Sequence, residues 1–156
     1  MRKILALFIA SLLLFSCGGE KEKEKKQSGE TPVKKEVKTE AKAEVDPMID
    51  KGIGPITSIT LGEIDQGMVT EGQQIFKAKC SACHKISKRF IGPEMKGVTQ
   101  RRSPEWIMNM ILNPEEMVQK NQIAMDLLKE YNAPMANQSL TEDEARKILE
   151  YFRTKN

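Results

Sequence analysis

The chain contains a single histidine, and its position constrains the fold more than any other feature. It is the last residue of Cys80-Ser81-Ala82-Cys83-His84, where two cysteines three positions apart are followed directly by the imidazole. Side chains three and four positions apart lie on one face of a helix, so the two thiols and the imidazole would meet there. This spacing is typical of a covalent c-type haem attachment site. We therefore predict one haem c, joined to Cys80 and Cys83 by thioethers, with His84 as the proximal ligand of its iron.

Other uses of the same cysteines fit the sequence less well. A structural zinc site needs four Cys or His ligands, and the only further cysteine, Cys17, lies in a targeting segment. A thioredoxin-like CxxC follows a strand in a βαβ pattern, which is not seen upstream of Cys80. A disulfide between Cys80 and Cys83 would leave His84 without a role. Haem attachment is the preferred interpretation, and thiol redox chemistry or metal binding are the alternatives.

Residues 1–16 have the pattern of a secretion signal peptide. The basic residues Arg2 and Lys3 precede an apolar run that is too short to span a bilayer comfortably. The run ends in Leu14-Phe15-Ser16-Cys17, which resembles the lipobox of bacterial lipoproteins. That resemblance implies an acylated Cys17 that anchors the protein on the periplasmic side of a bacterial membrane. The alternative is a plain signal peptide with an incidental cysteine.

Residues 17–46 have the composition of a disordered tether. Between Gly18 and Asp46, eight lysines are balanced by seven glutamates and Asp46, and the segment has no aromatic residue, Leu or Ile. Such a sequence cannot bury enough apolar surface to fold. A short salt-bridged helix is the alternative, but Gly29 and Pro32 would interrupt it. The folded domain is therefore predicted to cover 47–156.

The apolar residues of this domain recur mainly with the period of a helix, which predicts an all-α fold. One helix is expected over 65–80. Ser103-Pro104 and Asn113-Pro114 each have an N-cap residue followed by proline, and the helix from 113 is expected to reach about Tyr131. Thr141 to Glu144 reads as a capping box that begins the last helix. Only 56–61 is β-branched and alternating.

Together these features resemble a class I cytochrome c, particularly the short bacterial forms. The resemblance covers roughly 65–156 and consists of the first helix, the haem motif, Gly92-Pro93, a methionine preceded by proline and the last helix. It implies several helices around one covalent haem. It also implies that the Pro93 carbonyl accepts a hydrogen bond from the His84 imidazole. The segment 47–64 lies outside the resemblance and has no assigned function.

Crossing of the first and last helices is a further expectation from the resemblance. In this chain it would place Gly72 and Phe76 near Ile148 and Tyr151. Trp106 is assigned to the core and not to an electron path.

The second iron ligand cannot be another histidine of this chain, which leaves methionine, lysine, water or an empty position. Met135 lies in an irregular segment directly before the last helix, which matches the family. The family often has proline after its ligand methionine, whereas here Ala136 follows and Pro134 precedes. Met125 is therefore the next candidate. Met108, Met110, Met117 and Met125 itself have helical patterns that favour core positions, and Met95 follows Pro93 too closely to cross the haem easily.

Iron with one histidine and one methionine ligand has no open coordination position, so electron transfer is expected and enzymatic activity is not. We expect single electrons to pass from a quinol-oxidising complex to a haem–copper oxidase, a nitrous oxide reductase or a peroxidase. A ligand-binding or sensor haem protein with an open distal position is the alternative.

The charged residues of the domain are unevenly distributed. Between residues 77 and 102 there is one acid, Glu94, among the bases Lys77, Lys79, Lys85, Lys88, Arg89, Lys96, Arg101 and Arg102. These bases either form an ordinary solvated surface or a rim around the haem that attracts an acidic partner. We expect a monomer that does not bind nucleic acid.

Overall fold

The computed structural model describes residues 46–156, and these residues lie within one compact unit. The predicted signal peptide, Cys17 and the tether up to residue 45 are outside the described residues. From 46 onward the chain contains five α-helices and no strand, which confirms the all-α prediction: α1 Gln66–Ile75, α2 Pro104–Leu112, α3 Pro114–Lys120, α4 Gln122–Tyr131 and α5 Glu142–Arg153. None of these helices is long and apolar enough to span a membrane.

Side chains that precede the helices determine where they begin. The Asp65 carboxylate accepts a hydrogen bond from the amide of Met68 at the start of α1. Ser103 caps α2, with Pro104 at the first helical position, and Thr141 forms a reciprocal capping box with Glu144 at α5. Each cap provides an acceptor for an amide that has no partner inside the helix. The starts of α2 and α5 predicted from the sequence are confirmed.

The single helix expected from Asn113 to Tyr131 is wrong, because the chain breaks at Asn121 into α3 and α4. Asn121 has an extended backbone, with φ −92° and ψ 123°. Its side-chain oxygen accepts from the amide of Ala124 at 3.1 Å and from the Trp106 indole at 3.0 Å, and its amide nitrogen donates to Asp50. An asparagine that supplies these bonds competes with helical backbone hydrogen bonding, and here it ends one helix and caps the next.

The core forms where α1 crosses α5. A Cβ atom at Gly72 would collide with the backbone carbonyl of Lys147, so the two helices can approach this closely only because residue 72 is glycine. The Phe76 ring lies 5.7 Å from that of Tyr151 and 5.6 Å from that of Phe152, and Ile148 is fully buried. The predicted crossing of the first and last helices is confirmed.

Residues 46–64, here called the arm, have no regular secondary structure but are attached to the helices by hydrogen bonds. The buried Asn109 side chain accepts from the amide of Ile56 at 3.0 Å and donates to the carbonyls of Lys51 and Ile56 at 2.9 Å each. Ser103 also donates to the carbonyl of Asp50. The alternating pattern at 56–61 therefore does not form a strand, because helix side chains provide the partners that a neighbouring strand would have provided.

The end of the arm lies against α5. Arg146 and Arg153 donate to the carbonyls of Thr60 and Gly62, at 3.3 and 2.7 Å. The same two arginines pair with Glu150, whose side chain is fully buried. A buried carboxylate is stable only when cations neutralise its charge, as Arg146 and Arg153 do for Glu150. The same two arginines also hold the arm through its carbonyl groups. The arm is thus an integral part of the folded domain.

Candidate functional site

A cavity of about 610 Å³ lies among the loop after Cys83, helices α2 and α4, and the segment before α5. The structure brings together on its wall all five haem-site residues expected in the described part of the chain: Cys80, Cys83, His84, Pro93 and Met135. The rest of the wall is mostly apolar, with side chains such as Phe76, Ile107, Ile111 and Leu127. The volume is within the range of ordinary cofactor sites.

The two cysteines and the histidine lie at the end of a widened helical turn. Helix α1 continues as a π-helical segment, Phe76–Cys80, in which the amide of Ser81 donates to the carbonyl of Phe76 at 3.0 Å. The amides of Cys83 and His84 then donate to the Cys80 carbonyl at 3.1 and 2.9 Å. The helix expected over 65–80 thus ends in a π segment, and the motif after Cys80 forms one hydrogen-bonded turn. Such π segments often occur at functional sites, and no pattern in the sequence indicated this one.

The His84 imidazole is oriented by its backbone surroundings. Its Nδ1 lies 3.0 Å from the carbonyl oxygen of Pro93, and since a carbonyl can only accept, Nδ1 carries the proton in this hydrogen bond. In the neutral imidazole this tautomer leaves Nε2 as the nitrogen able to bind a metal ion. A Cβ atom at Gly92 would lie 2.5 Å from Cε1 of the same ring. Glycine at 92 therefore leaves the space that the imidazole occupies.

The surroundings of the Cys80 thiol do not favour its reactive thiolate form. Cys80 and Cys83 are free, Cys80 half-buried and Cys83 exposed. Burial raises the pKa of the Cys80 thiol to about 11, and the neighbouring Cys83 contributes in the same direction. Catalytic thiols instead have a lowered pKa, which favours the reactive thiolate. Within 46–156 there is also no cluster of three or more His, Cys, Asp or Glu side chains that could hold a metal ion. The raised pKa of Cys80 does not favour a role for this thiol as the attacking group in redox chemistry.

Three methionines line the cavity: Met95, Met110 and Met135. Met110 is in α2, and Met95 is buried in the loop after His84, where its amide donates to the Lys85 carbonyl at 3.0 Å. Met135 is half-buried and lies in an irregular segment between α4 and α5. Met125, the next candidate from the sequence, is not on the cavity wall. The presence of Met110 on this wall was missed, because its helical pattern indicated only a core position, whereas Met95 was set aside as a ligand because it follows Pro93 so closely.

Comparison with known proteins identifies the family. The family model named Cytochrome c matches residues 69–155, which is more than half of the chain. This protein belongs to the cytochrome c family. It is a class I c-type cytochrome, as the sequence motifs indicated.

Individual relatives agree with the assignment. A cytochrome c-553-like protein of Synechocystis is 35% identical over 65 residues, a match that covers 33% of this chain and 62% of the relative, less than two thirds of its length. The solved cytochrome c from Rhodothermus marinus is 44% identical with a TM-score of 0.64, covering 65% of this chain and 88% of that one. A cytochrome c domain from Pseudomonas putida is 32% identical with a TM-score of 0.50, covering 53% and 85%.

Cytochromes c bind one covalent haem c with its iron, and the cavity fits that group. It offers two thiols for thioether bonds, an imidazole with a free Nε2, a thioether at Met135 and an apolar wall. Arg101 and Arg102 line it as well, and cations of this kind suit the carboxylates of a haem. Membership of the cytochrome c family indicates haem-based electron transfer.

Proposed function

We propose that this cytochrome c is a monohaem electron carrier whose iron is bound by His84 and Met135. Cys80 and Cys83 would hold the haem as thioethers, and the Pro93 carbonyl would orient His84. The observation that carries the proposal is the meeting of these five residues on one cavity wall, with Nδ1 of His84 bonded to Pro93. When bound, the haem iron supplies a one-electron redox couple.

The choice of Met135 rests on its place in the chain. Met95 is held by the same loop that carries His84, and Met110 belongs to α2, which packs against α5. Met135 lies on an irregular segment, which has the freedom to bring a thioether to the iron. With His84 and Met135 as ligands the iron would have no open coordination position, and its reduction potential would be raised. No position then remains for a substrate, which favours electron transfer over catalysis.

Visible spectra of the oxidised protein and of Met135→Ala test the ligand. We expect the charge-transfer band of a methionine bound to ferric iron in the wild type and its loss in the variant. Met110→Leu, which changes another methionine on the cavity wall, should keep the band. Persistence of the band in Met135→Ala would assign the ligand to another methionine.

Two further measurements separate the proposal from its alternatives. The reduced protein should bind carbon monoxide slowly or incompletely at neutral pH, and rapid stoichiometric binding would instead indicate a ligand-binding or sensor protein. The purified protein should retain haem after denaturing electrophoresis, because thioether bonds survive denaturation. Loss of the haem there would contradict covalent attachment through Cys80 and Cys83.

Partner docking is proposed to occur where the cavity meets the surface. Phe90 and Ile91 are about half exposed, and the ammonium group of Lys85 lies 5.0 Å from the centre of the Phe90 ring. Lys79 and Arg101 are on the cavity wall and exposed. A basic border around an apolar patch would attract an acidic partner. We infer a quinol-oxidising complex as donor and a haem–copper oxidase, nitrous oxide reductase or peroxidase as acceptor.

Ionic strength tests the docking surface. Electron exchange with the ferricyanide anion should slow as salt is added, because screening weakens attraction by the basic border. Exchange with the cation hexaammineruthenium(III) should show the opposite trend. Equal salt dependence for both reagents would contradict a basic docking surface.

The location of the protein is also a proposal. Residues 1–16 would be a lipoprotein signal peptide, Cys17 the acylated residue and 17–46 a tether that carries the domain 47–156 on the periplasmic side. Cys17→Ser should release the domain from membranes into the soluble periplasmic fraction. Unchanged membrane retention would contradict lipid anchoring.

A further inference from the structure

The cavity has an irregular segment on each side, and the two are held differently. The proximal loop, residues 84–93, is closed by hydrogen bonds from the Gly92 amide to the Cys83 carbonyl at 2.9 Å and between His84 and Pro93. The distal loop, residues 132–140, contains Met135. Its hydrogen bonds are local, such as that from the Ser139 amide to Asn137 at 2.8 Å. Apart from the C-cap bond from the Asn132 amide to the Leu128 carbonyl of α4 at 2.8 Å, no hydrogen bond of the described residues joins the distal loop to another element.

One side chain of the proximal loop reaches the residues from which the distal loop departs. Nη1 of Arg89 lies 2.7 Å from a carboxylate oxygen of Glu130, and Nη2 donates to the backbone carbonyl of Glu130 at 3.2 Å. The centre of the same guanidinium group lies 4.0 Å from the centre of the Tyr131 ring. These three contacts are called the Arg89 bridge.

The Arg89 bridge lies between the loops that carry the two proposed iron ligands. Glu130 and Tyr131 are the last two residues of α4, and Asn132 follows with a left-handed backbone at φ 49°. Arg89 is five residues after His84, and Tyr131 is four residues before Met135. Arg89 and Tyr131 both line the cavity. The bridge thus connects the loop of the proposed proximal ligand to the start of the loop of the proposed distal ligand.

The bridge is exposed, which limits its effect on global stability. The side chains of Arg89 and Glu130 are 56% and 52% exposed, and pairs of this kind contribute little in general. The guanidinium group, however, combines an ion pair, a second hydrogen bond and a stacked ring, an arrangement that lysine cannot reproduce. A weak contact such as the Arg89 bridge has its largest effect on the local opening of a segment that few other interactions hold, here the distal loop.

We propose that Arg89 is a positioning residue for the distal iron ligand. By holding the end of α4 against the proximal loop, it limits the fraction of molecules in which the Met135 thioether leaves the iron. The proposal rests on Met135 being that ligand. In the open fraction, an external nitrogen base can take the coordination position that the sulfur gives up, and no electron is transferred. The apparent affinity for such a base is the intrinsic affinity multiplied by the open fraction.

Imidazole binding to the oxidised full-length holoprotein measures that fraction. The titration is followed by the visible spectrum, at a pH where imidazole is neutral so that surface charge has little direct effect. Arg89→Gln should raise the apparent affinity about fivefold, the effect of removing an ion pair and a cation–π contact at an exposed site. Arg89→Lys, which keeps the charge but not the planar group, should fall between the wild type and Arg89→Gln.

Lys88→Gln is the matched control. It removes the same charge from the adjacent exposed position of the same loop and should leave the affinity unchanged. Glu130→Gln removes the ion pair of the bridge from the α4 side without altering the proximal loop, and it keeps the contacts of Arg89 to the backbone carbonyl at 130 and to Tyr131. It should therefore raise the affinity, but by less than Arg89→Gln does. This second variant provides the test if Arg89→Gln does not incorporate haem.

Two results would overturn the role of Arg89. One is wild-type imidazole affinity in the bridge variants, even where their thermal stability is lowered, since that pattern belongs to a purely structural contact. The other is an equal rise in Lys88→Gln, which would make the effect one of net charge. Failure of the ligand assignment is separately visible, because the charge-transfer band would then survive in Met135→Ala whatever the Arg89 variants do.

Discussion

The arm and the distal loop are both irregular, yet they are stabilised in opposite ways. Arm residues 46–64 are tied along their length to helix side chains, above all to Asn109, which is 1% exposed. Distal-loop residues 132–140 are fixed at their ends, by the C-cap at Asn132, the capping box at Thr141 and the Arg89 bridge. Between those ends their hydrogen bonds are local.

The difference reflects what surrounds each backbone. Buried peptide groups need protein partners, and at the buried Ile56 of the arm the Asn109 side chain supplies them. The distal loop contains no buried residue, so water can satisfy its peptide groups. A segment held by buried hydrogen bonds opens only with the domain, whereas one held at its ends can open locally. The proposed methionine ligand lies on the segment with the greater freedom.

The largest expected effect on stability comes from Asn109→Ala. It removes the partners of the Ile56 amide and of the Lys51 and Ile56 carbonyls. Leaving buried peptide groups unpaired costs about 1–3 kcal/mol each, and some will regain water, so we expect a loss of about 3 kcal/mol in urea unfolding. Asn137→Ala, which removes one exposed bond in the distal loop, should cost about 0.5 kcal/mol or less. Similar losses in both variants would abolish the distinction between the two segments.

The second prediction compares the loss of stability on removing each of two helix caps. Ser103 is buried, caps α2 and also donates to the Asp50 carbonyl in the arm, whereas Thr141 is exposed and caps α5 at the end of the distal loop. Ser103→Ala should cost about 2 kcal/mol, through the lost cap and the unpaired carbonyl, and Thr141→Ala about 1 kcal/mol. Thermal unfolding of both holoproteins measures the difference. A larger loss for Thr141→Ala would show that the distal loop depends on its cap more than the arm does.

Pro134→Ala should have a small effect on global stability and a clear one on the proposed iron ligand. Replacing proline increases the freedom of the unfolded chain and of the open loop, at a cost of about 0.5 kcal/mol. Because the loop opens locally, we expect a measurable rise in imidazole affinity with a nearly unchanged urea midpoint. A loss of 2 kcal/mol or more would mean that this loop is as firmly held as the arm.

The smallest expected effect is a change in how the stability of the protein depends on acidic pH. Hydrogen bonds from the Thr141 amide and hydroxyl lower the pKa of the Glu144 carboxyl below its usual range, and nearby Lys79 and Lys147 add to this. A lowered pKa contributes stability above the ordinary glutamate pKa, and that contribution is lost as pH falls through the lower value of the folded protein. The stability difference between wild type and Glu144→Gln should therefore shrink below about pH 4.

Urea unfolding at several pH values measures this dependence, with Glu142→Gln as control. That variant removes a charge from the same first turn of α5 without breaking the capping box. The same pH dependence in both variants would assign the effect to helix charge and not to the Thr141–Glu144 hydrogen bonds.

Much of the fold was predictable because its signals are local. The caps at Ser103 and Thr141 and the proline at 104 act within one helical turn, so their sequence pattern carries the information needed to place α2 and α5. The same holds for the haem motif, in which the spacing of two cysteines and a histidine specifies the chemistry. The break at Asn121 was not predictable from a local pattern. Its side chain both caps α4 and forms hydrogen bonds with Asp50 and Trp106, which lie outside that helix.

The sequence by itself determined the helical class, the family and the residues able to attach a haem, since these depend on composition and on spacings of a few residues. Tertiary structure alone decided which side chains attach the arm to the helices, that Met125 is away from the cavity, and that Arg89 meets Glu130 across 41 positions of sequence. The physical reason is that such contacts depend on where whole helices pack. That packing is set by many weak burial terms together and leaves no short pattern in the chain.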